Sequence, residues 1–269
     1  MRFAAIGDSF TEGVGDDLPD GSVRGWADLV AAGLAAGLDE PVDYVNLAIR
    51  GRLIEPIVRD QLEAALALEP QPTLISFNGG GNDMMRPGFD LDRIVGLIEH
   101  AIDRCAQEGV GLLLLSGGDP TMRLPRGAMM SDRGRIYLEA VDGILERHPE
   151  QLFVDNWSDQ ELRRAPYWSA DRLHLGPLGH ERVAARVLTA LGVETDLPTS
   201  TDSAPESRRA LVEAQYYARY VLPWIGRRLT RRSSGDGRTA KHPEWVRIDP
   251  TAVHRAADAP HEPGKHADP

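Results

Sequence analysis

The sequence predicts an α/β fold, a doubly wound parallel sheet covered by helices in three layers. Three observations carry that expectation. Short apolar runs alternate with stretches of helical period five times along residues 1–195. The run from Val110 to Leu115 is apolar with little interruption, as a strand buried on both faces is. Two of the runs pass directly into Gly-rich polar turns, after Ile6 and after Phe77, where chain is delivered to a sheet edge. With 269 residues and 42% hydrophobic content the chain can bury one core of this size.

The elements follow in order. Phe3-Ala4-Ala5-Ile6 is the first strand, closed by Gly7. Trp26, Leu29, Val30, Leu34 and Leu38 recur at helical spacing before a second strand, Val42 to Ala48, which makes a right-handed βαβ unit. Ile54 to Leu68 reads as a helix and Thr73 to Phe77 as a third strand running into Asn78-Gly79-Gly80-Gly81-Asn82-Asp83. Asp90 caps a helix to about Gln107, and Val110 to Leu115 is the fourth strand. Ser116 to Arg133, carrying Met122, Met129 and Met130, is expected to be a long loop before a helix from Gly134 to Arg147. Leu152-Phe153-Val154 is the fifth strand. Pro177 to Leu191 closes the pattern as a helix with Val183, Val187, Leu188 and Leu191 on its core face.

Beyond this domain, placed at residues 1–195, a polar linker is expected over 196–205 and a basic amphipathic helix over 206–232, with Leu211, Val221, Leu222, Ile225 and Leu229 on its apolar stripe. Residues 233–269 are Gly-, Pro- and charge-rich and are expected to be disordered. The formal net charge of −11 opposes a nucleic-acid surface on the main domain. The single cysteine, Cys105, falls on the apolar face of a helical pattern and reads as a structural thiol. Without an apolar leader or a membrane-length stretch, a cytoplasmic location is expected, with the basic helix as a candidate for weak contact with an anionic membrane surface.

Chemistry-bearing residues collect at the C-terminal ends of the strands, the edge where open α/β sheets bind ligands. Ser9 follows the first strand, Arg50-Gly51-Arg52 the second, Asn82 the third, and Asp171-Arg172-Leu173-His174 the fifth. Ser9 alone could be no more than a turn residue or helix cap. Its partners make it a candidate nucleophile, because each role in serine acyl transfer has a holder. His174 is the candidate base. Asp171, three residues earlier, can hold its Nδ1 proton and leave Nε2 facing Ser9. The backbone N–H groups of Ser9 and Gly51 and the amide of Asn82 are candidate oxyanion donors. Arg50 and Arg52 flank the oxyanion turn as candidate holders of an anionic substrate group. Asp8 is expected to tie down the turn by hydrogen bonds.

These blocks resemble the SGNH, or GDSL, hydrolase superfamily over about residues 1 to 192. Gly7-Asp8-Ser9 resembles its first block, Asn46 to Gly51 the second, Gly81-Asn82-Asp83 the third, and Asp171 to His174 the DxxH fifth block. The resemblance implies that Ser9, Gly51, Asn82 and His174 are the family's four named residues and that Asp171 completes a triad. It also implies a flavodoxin-like sheet of order 2-1-3-4-5 and hydrolysis of esters, thioesters or acyl groups on sugars and lipids. Phe10 stands where the lipase-type motif has Leu, which bears on chain preference rather than on the chemistry.

Rival motifs are weaker. Gly79 to Gly81 is followed by no Gly-Lys-Ser/Thr, and no His-Glu-x-x-His or Cys-x-x-Cys spacing occurs, so neither a nucleotide cofactor nor a metal is expected. The expectation is a cofactor-independent serine esterase acting on short-acyl esters through an acyl-enzyme. The alternatives are an acyltransferase using the same intermediate, or a membrane- or partner-docking protein with vestigial hydrolysis.

Overall fold

The alternation of apolar residues becomes two cores on opposite faces of one sheet. A computed structural model describes residues 1–124, 127–198, 200 and 234–250. Ala4 and Ile6 of β1 (Arg2–Ile6), Ile75 and Phe77 of β3 (Leu74–Asn78), and Leu112 and Leu114 of β4 (Gly111–Leu115) face one core. Phe3 and Ala5, Leu74, and Leu113 and Leu115 of the same strands face the other. Strands covered on both sides read as near-continuous apolar runs because neither set of alternating positions meets water.

β1 pairs in parallel with β2 (Val42–Asn46) and with β3, β3 with β4, and β4 with β5 (Leu152–Val154). These five strands stand in the expected order. A sixth strand, β6 (His242–Ile248), lies antiparallel on the outer edge of β2, giving β5-β4-β3-β1-β2-β6. This corrects the expectation of disorder for that part of residues 233–269. The free N–H and C=O groups along the edge of β2 supply pairing that composition does not reveal, so three apolar anchors suffice. Trp245 packs on one core, and Val246 and Ile248 pack on the other. Pro243 is tolerated because β6 is an edge strand whose register shifts between Tyr44 and Asn46 of β2.

α2 (Trp26–Leu38) and α8 (Pro177–Ala190) cover one face. The opposite face is covered by the helical stretch Ile54–Leu66 together with α6 (Leu91–Glu108) and α7 (Gly127–Arg147). The stretch after β2 is not one regular helix. It runs as α3 (Ile54–Pro56), a π-helical segment Ile57–Leu62, and α4 (Glu63–Leu66). α7 begins at Gly127, so the later part of the expected 116–133 loop is helical. Met130 is buried in the core there, whereas Met129 and Met122 are exposed. Two short helices, α1 (Ser9–Glu12) and α5 (Gly81–Met84), sit at the C-terminal ends of β1 and β3.

Cys105 is buried, and burial pushes its thiol up to about 12. No helix among the described residues is long and apolar enough to cross a membrane. The expected basic helix over 206–232 and residues 251–269 lie outside the described residues, as does most of the 196–205 linker.

Candidate active site

Ser9 is the first residue of α1, directly after the Gly7-Asp8 turn that ends β1. The turn is fixed from two sides. Asp8 caps α1 by accepting from Phe10 N at 3.0 Å. Gln61, on the π-helical segment, accepts from Gly7 N at 2.8 Å and donates to Gly7 O at 3.0 Å. One buried side chain thus satisfies both polar groups of the residue that turns the chain toward Ser9. The extra residue of the π turn sits beside the site, as such turns often do.

Asp171 and His174 come together on the loop before α8. Asp171 Oδ2 lies 2.5 Å from His174 Nδ1. Its Oδ1 accepts from Ser169 Oγ at 2.7 Å, Leu173 N at 3.0 Å and His174 N at 2.9 Å. Burial works to raise the Asp171 pKa, but the hydrogen bond and charge of His174, with the backbone and Ser169 donors, outweigh it and hold the carboxyl well below its usual range. An ionised Asp171 fixes the tautomer with the proton on Nδ1 and leaves Nε2 as the free base.

The His174 loop is seated against the chain that leaves α1. A Cβ on Gly15 would stand 2.1 Å from the Leu175 carbonyl oxygen and 3.2 Å from Ser169 Cβ, and Gly15 has φ 102°, so only glycine allows this approach. Further into the core, His180 Nδ1 accepts from Trp26 N at 3.1 Å, and its Nε2 faces Val14 O at 3.4 Å. Burial pushes its pKa down to about 4, which keeps this second histidine neutral and structural. The Phe10 ring packs 5.7 Å from Trp26 and 6.4 Å from His180. The residue that departs from the lipase-type motif is therefore partly buried against this packing.

Three strand ends are laced together around Asp8. Asn82 Nδ2 donates to Asp8 Oδ2 at 2.8 Å and to Arg52 O at 2.9 Å, while Asp83 Oδ2 accepts from Ile54 N at 2.9 Å. Burial pushes the Asp8 pKa up to about 6 against the pull of Phe10 N, His174 and Asn82, with Asp83 adding repulsion. Both amide hydrogens of Asn82 are engaged in this state, so donation to an oxyanion requires one of them to exchange partner. Gly51 holds φ 77°, a left-handed conformation that turns the chain sharply after β2.

The two arginines of that turn differ. Arg50 Nε and Nη2 donate to Glu12 Oε1 at 2.8 and 2.5 Å, and Arg50 N donates to Glu12 Oε2 at 2.6 Å. Its guanidinium is committed to a buried carboxylate of α1, which corrects its expected role as an anion holder. The pair ties the Ser9 helix to the Gly51 turn. Arg52 makes no side-chain ion pair among the described residues and retains the candidacy. Glu12, Gln61 and Ser169 were not legible as site residues in the sequence. Glu12 lies within the Ser9 turn motif, but nothing local marks it as the partner of a residue on another strand.

The sequence model of the GDSL-like lipase/acylhydrolase family matches residues 5–182. A sequence comparison with curated proteins gave no match. Among solved structures, the fold is similar to the psychrotrophic esterase EstA from Pseudoalteromonas sp., at 17% identity and a TM-score of 0.55, covering 71% of this chain and 96% of that one. It is similar to the lipase Lip_vut3 from a goat rumen metagenome at 19% identity and a TM-score of 0.56, covering 71% and 97%. Axe2, an acetylxylan esterase from Geobacillus stearothermophilus, is 21% identical with a TM-score of 0.55, covering 75% and 97%. At these identities the likeness establishes the fold, and it is the family match over residues 5–182 that establishes kinship: the chain belongs to the GDSL-like lipase/acylhydrolase family.

Proposed function

We propose that the chain hydrolyses short-acyl carboxylic esters, with Ser9 as nucleophile, His174 as general base and Asp171 as its orienting acid. Membership of an acylhydrolase family supports ester hydrolysis as the reaction class. The observation that carries the assignment of roles is the Asp171–His174 pair at 2.5 Å, seated against the loop that leaves the Ser9 helix.

In the first half-reaction, Ser9 Oγ attacks the acyl carbon as its proton passes to His174 Nε2. Asp171 keeps Nδ1 protonated and stabilises the imidazolium that forms. The carbonyl oxygen gains negative charge and takes hydrogen bonds from the Ser9 and Gly51 backbone N–H groups and from Asn82, whose amide turns from Asp8 or Arg52. The C–O bond breaks, the alcohol leaves with the proton from Nε2, and an acyl ester remains on Ser9. A water activated by His174 then releases the acid and restores Ser9. No step needs a metal or an organic cofactor.

Two features favour small acyl groups. Phe10 is occupied by packing on Trp26 and His180, and Met130 of the methionine-bearing stretch belongs to the core. With Met130 in the core and the Phe10 ring partly covered, less apolar surface is left to line an acyl channel, in which each buried methylene would gain about 0.8 kcal/mol.

A series of p-nitrophenyl esters from acetate to decanoate tests this. kcat/KM should be highest for the shortest members, and Ser9→Ala should retain less than about a thousandth of the activity. A preference for decanoate of about tenfold or more would overturn the short-acyl assignment. Substantial activity in Ser9→Ala would overturn the nucleophile.

A further inference from the structure

The segment from Gly235 to Ile248 lies beyond the family match at 5–182, yet it touches the scaffold of the candidate site at two separate places. At its start, buried Gly235 is pressed against the turn that carries Gly51. A Cβ there would stand 2.1 Å from the Arg50 carbonyl oxygen and 2.9 Å from Ile49 Cγ2. Only a residue without a side chain can back that turn so closely.

The second contact is Lys241. Its ammonium has three hydrogens, and three acceptors meet it: Asp28 Oδ2 at 2.8 Å, Val23 O at 3.3 Å and Arg24 O. Asp28 is the start of a polar chain that ends in the site. Its Oδ1 accepts from Tyr44 OH at 2.7 Å, Tyr44 OH accepts from Asn46 Nδ2 at 2.9 Å, and the same Nδ2 donates to Thr11 O of the Ser9 helix at 2.9 Å. Asn46 Oδ1 in turn accepts from Ala48 N at 3.1 Å, at the entry to the Gly51 turn. Tyr44 and Asn46 are buried, so a carboxylate at the head of this chain needs a cation to be held in one geometry. Lys241 is that cation, and pairing of β6 with β2 delivers it.

We infer that Gly235 and Lys241 are positioning residues of the active site: Gly235 backs the Arg50–Gly51 turn, and Lys241 anchors the Asp28–Tyr44–Asn46 chain that sets the Ser9 helix and the same turn relative to each other. The inference rests on the ester-hydrolase reading for its effect on turnover. A strand that merely adds stability would lower the melting temperature and leave kcat per folded molecule unchanged.

The experiment uses the full chain in four forms: wild type, Gly235→Ala, Lys241→Met, and Arg247→Ala as a control in the same segment, where among the described residues the side chain pairs only with Asp249. Each is assayed on p-nitrophenyl acetate at a temperature where circular dichroism shows it folded, and deuterium uptake is followed in the peptide covering residues 47–53. Gly235→Ala and Lys241→Met should lower kcat by about tenfold or more with KM changed less than about twofold, because transition-state contacts are lost rather than substrate binding. Both should speed exchange in residues 47–53, and Arg247→Ala should do neither. Adding Asp28→Asn to Lys241→Met removes the unpaired charge and keeps an acceptor for Tyr44, so kcat should recover by at least half. Wild-type kcat in both Gly235→Ala and Lys241→Met, or unchanged exchange in residues 47–53, would overturn the inference. Absence of esterase activity in the wild type would instead sink the ester-hydrolase reading, and the exchange data would still decide whether the segment fixes the turn.

Discussion

His174 Nδ1 lies 2.5 Å from Asp171 Oδ2, and three further donors hold the other oxygen of the same carboxylate. Asp171 is thus held in place through its other oxygen as well as through the histidine ring. Asp171→Asn should preserve most of this frame but present an amide N–H or a weaker acceptor to Nδ1, favouring the wrong tautomer. kcat should fall by about 10³ to 10⁴ with a much smaller change in KM. A variant within about tenfold of wild type would show that His174 does not depend on this partner.

Asn82 is the link between the Ser9 turn and the Gly51 turn, since one nitrogen serves both Asp8 and Arg52. If the amide also serves the oxyanion, Asn82→Ala should lower kcat by roughly 10² to 10³ and leave KM nearly unchanged. A change in KM alone would make Asn82 a binding or scaffolding residue.

Stability against pH separates two buried groups. The His180 pKa falls from the ordinary 6.5 to about 4, so the unfolded chain takes up this proton first. The folded state therefore loses stability as pH falls through 6.5, and the loss is complete below about 4. Asp8 works in the other direction. Its carboxyl rises from 3.8 to about 6, so the folded chain binds that proton first and gains stability as pH falls from about 6 to 3.8. His180→Asn retains an acceptor for Trp26 N and removes the first effect. In urea denaturation the variant should gain stability relative to wild type as pH falls from 7.5 to 5. Parallel pH profiles for the two proteins would show that His180 is not held neutral by burial.

Much of this architecture was legible because its signals are local. The run from Val110 to Leu115, the cap at Asp90 and the three-residue spacing of Asp171 and His174 each carry their meaning within a few residues. What escaped depends on partners distant in sequence. β6 has an alternating face of only a few anchors, and it becomes a strand because β2 offers an unpaired edge. The extent of α7 was hidden by Gly127 and Gly134, poor helix formers whose cost is offset by packing of Met130 and Tyr137. Gln61 gives no local sign that it holds Gly7, 54 positions away. In sequence Arg50 is a candidate holder of an anionic group, and its pairing is hidden because its partner, Glu12, lies on another strand's turn.

Ser9 as nucleophile and His174 as its base make one chemical demand: Ser9 Oγ must be activated, and only while His174 is present. The most direct measurement is the mass of the peptide containing Ser9 after exposure to p-nitrophenyl diethyl phosphate, whose phosphoryl group traps an activated serine and resists release. One diethylphosphoryl group should appear on Ser9 as activity is lost, with labelling slowed by at least about 10³ in His174→Ala and absent in Ser9→Ala. Loss of activity with the adduct on another residue, or labelling of Ser9 at an undiminished rate in His174→Ala, would contradict the account.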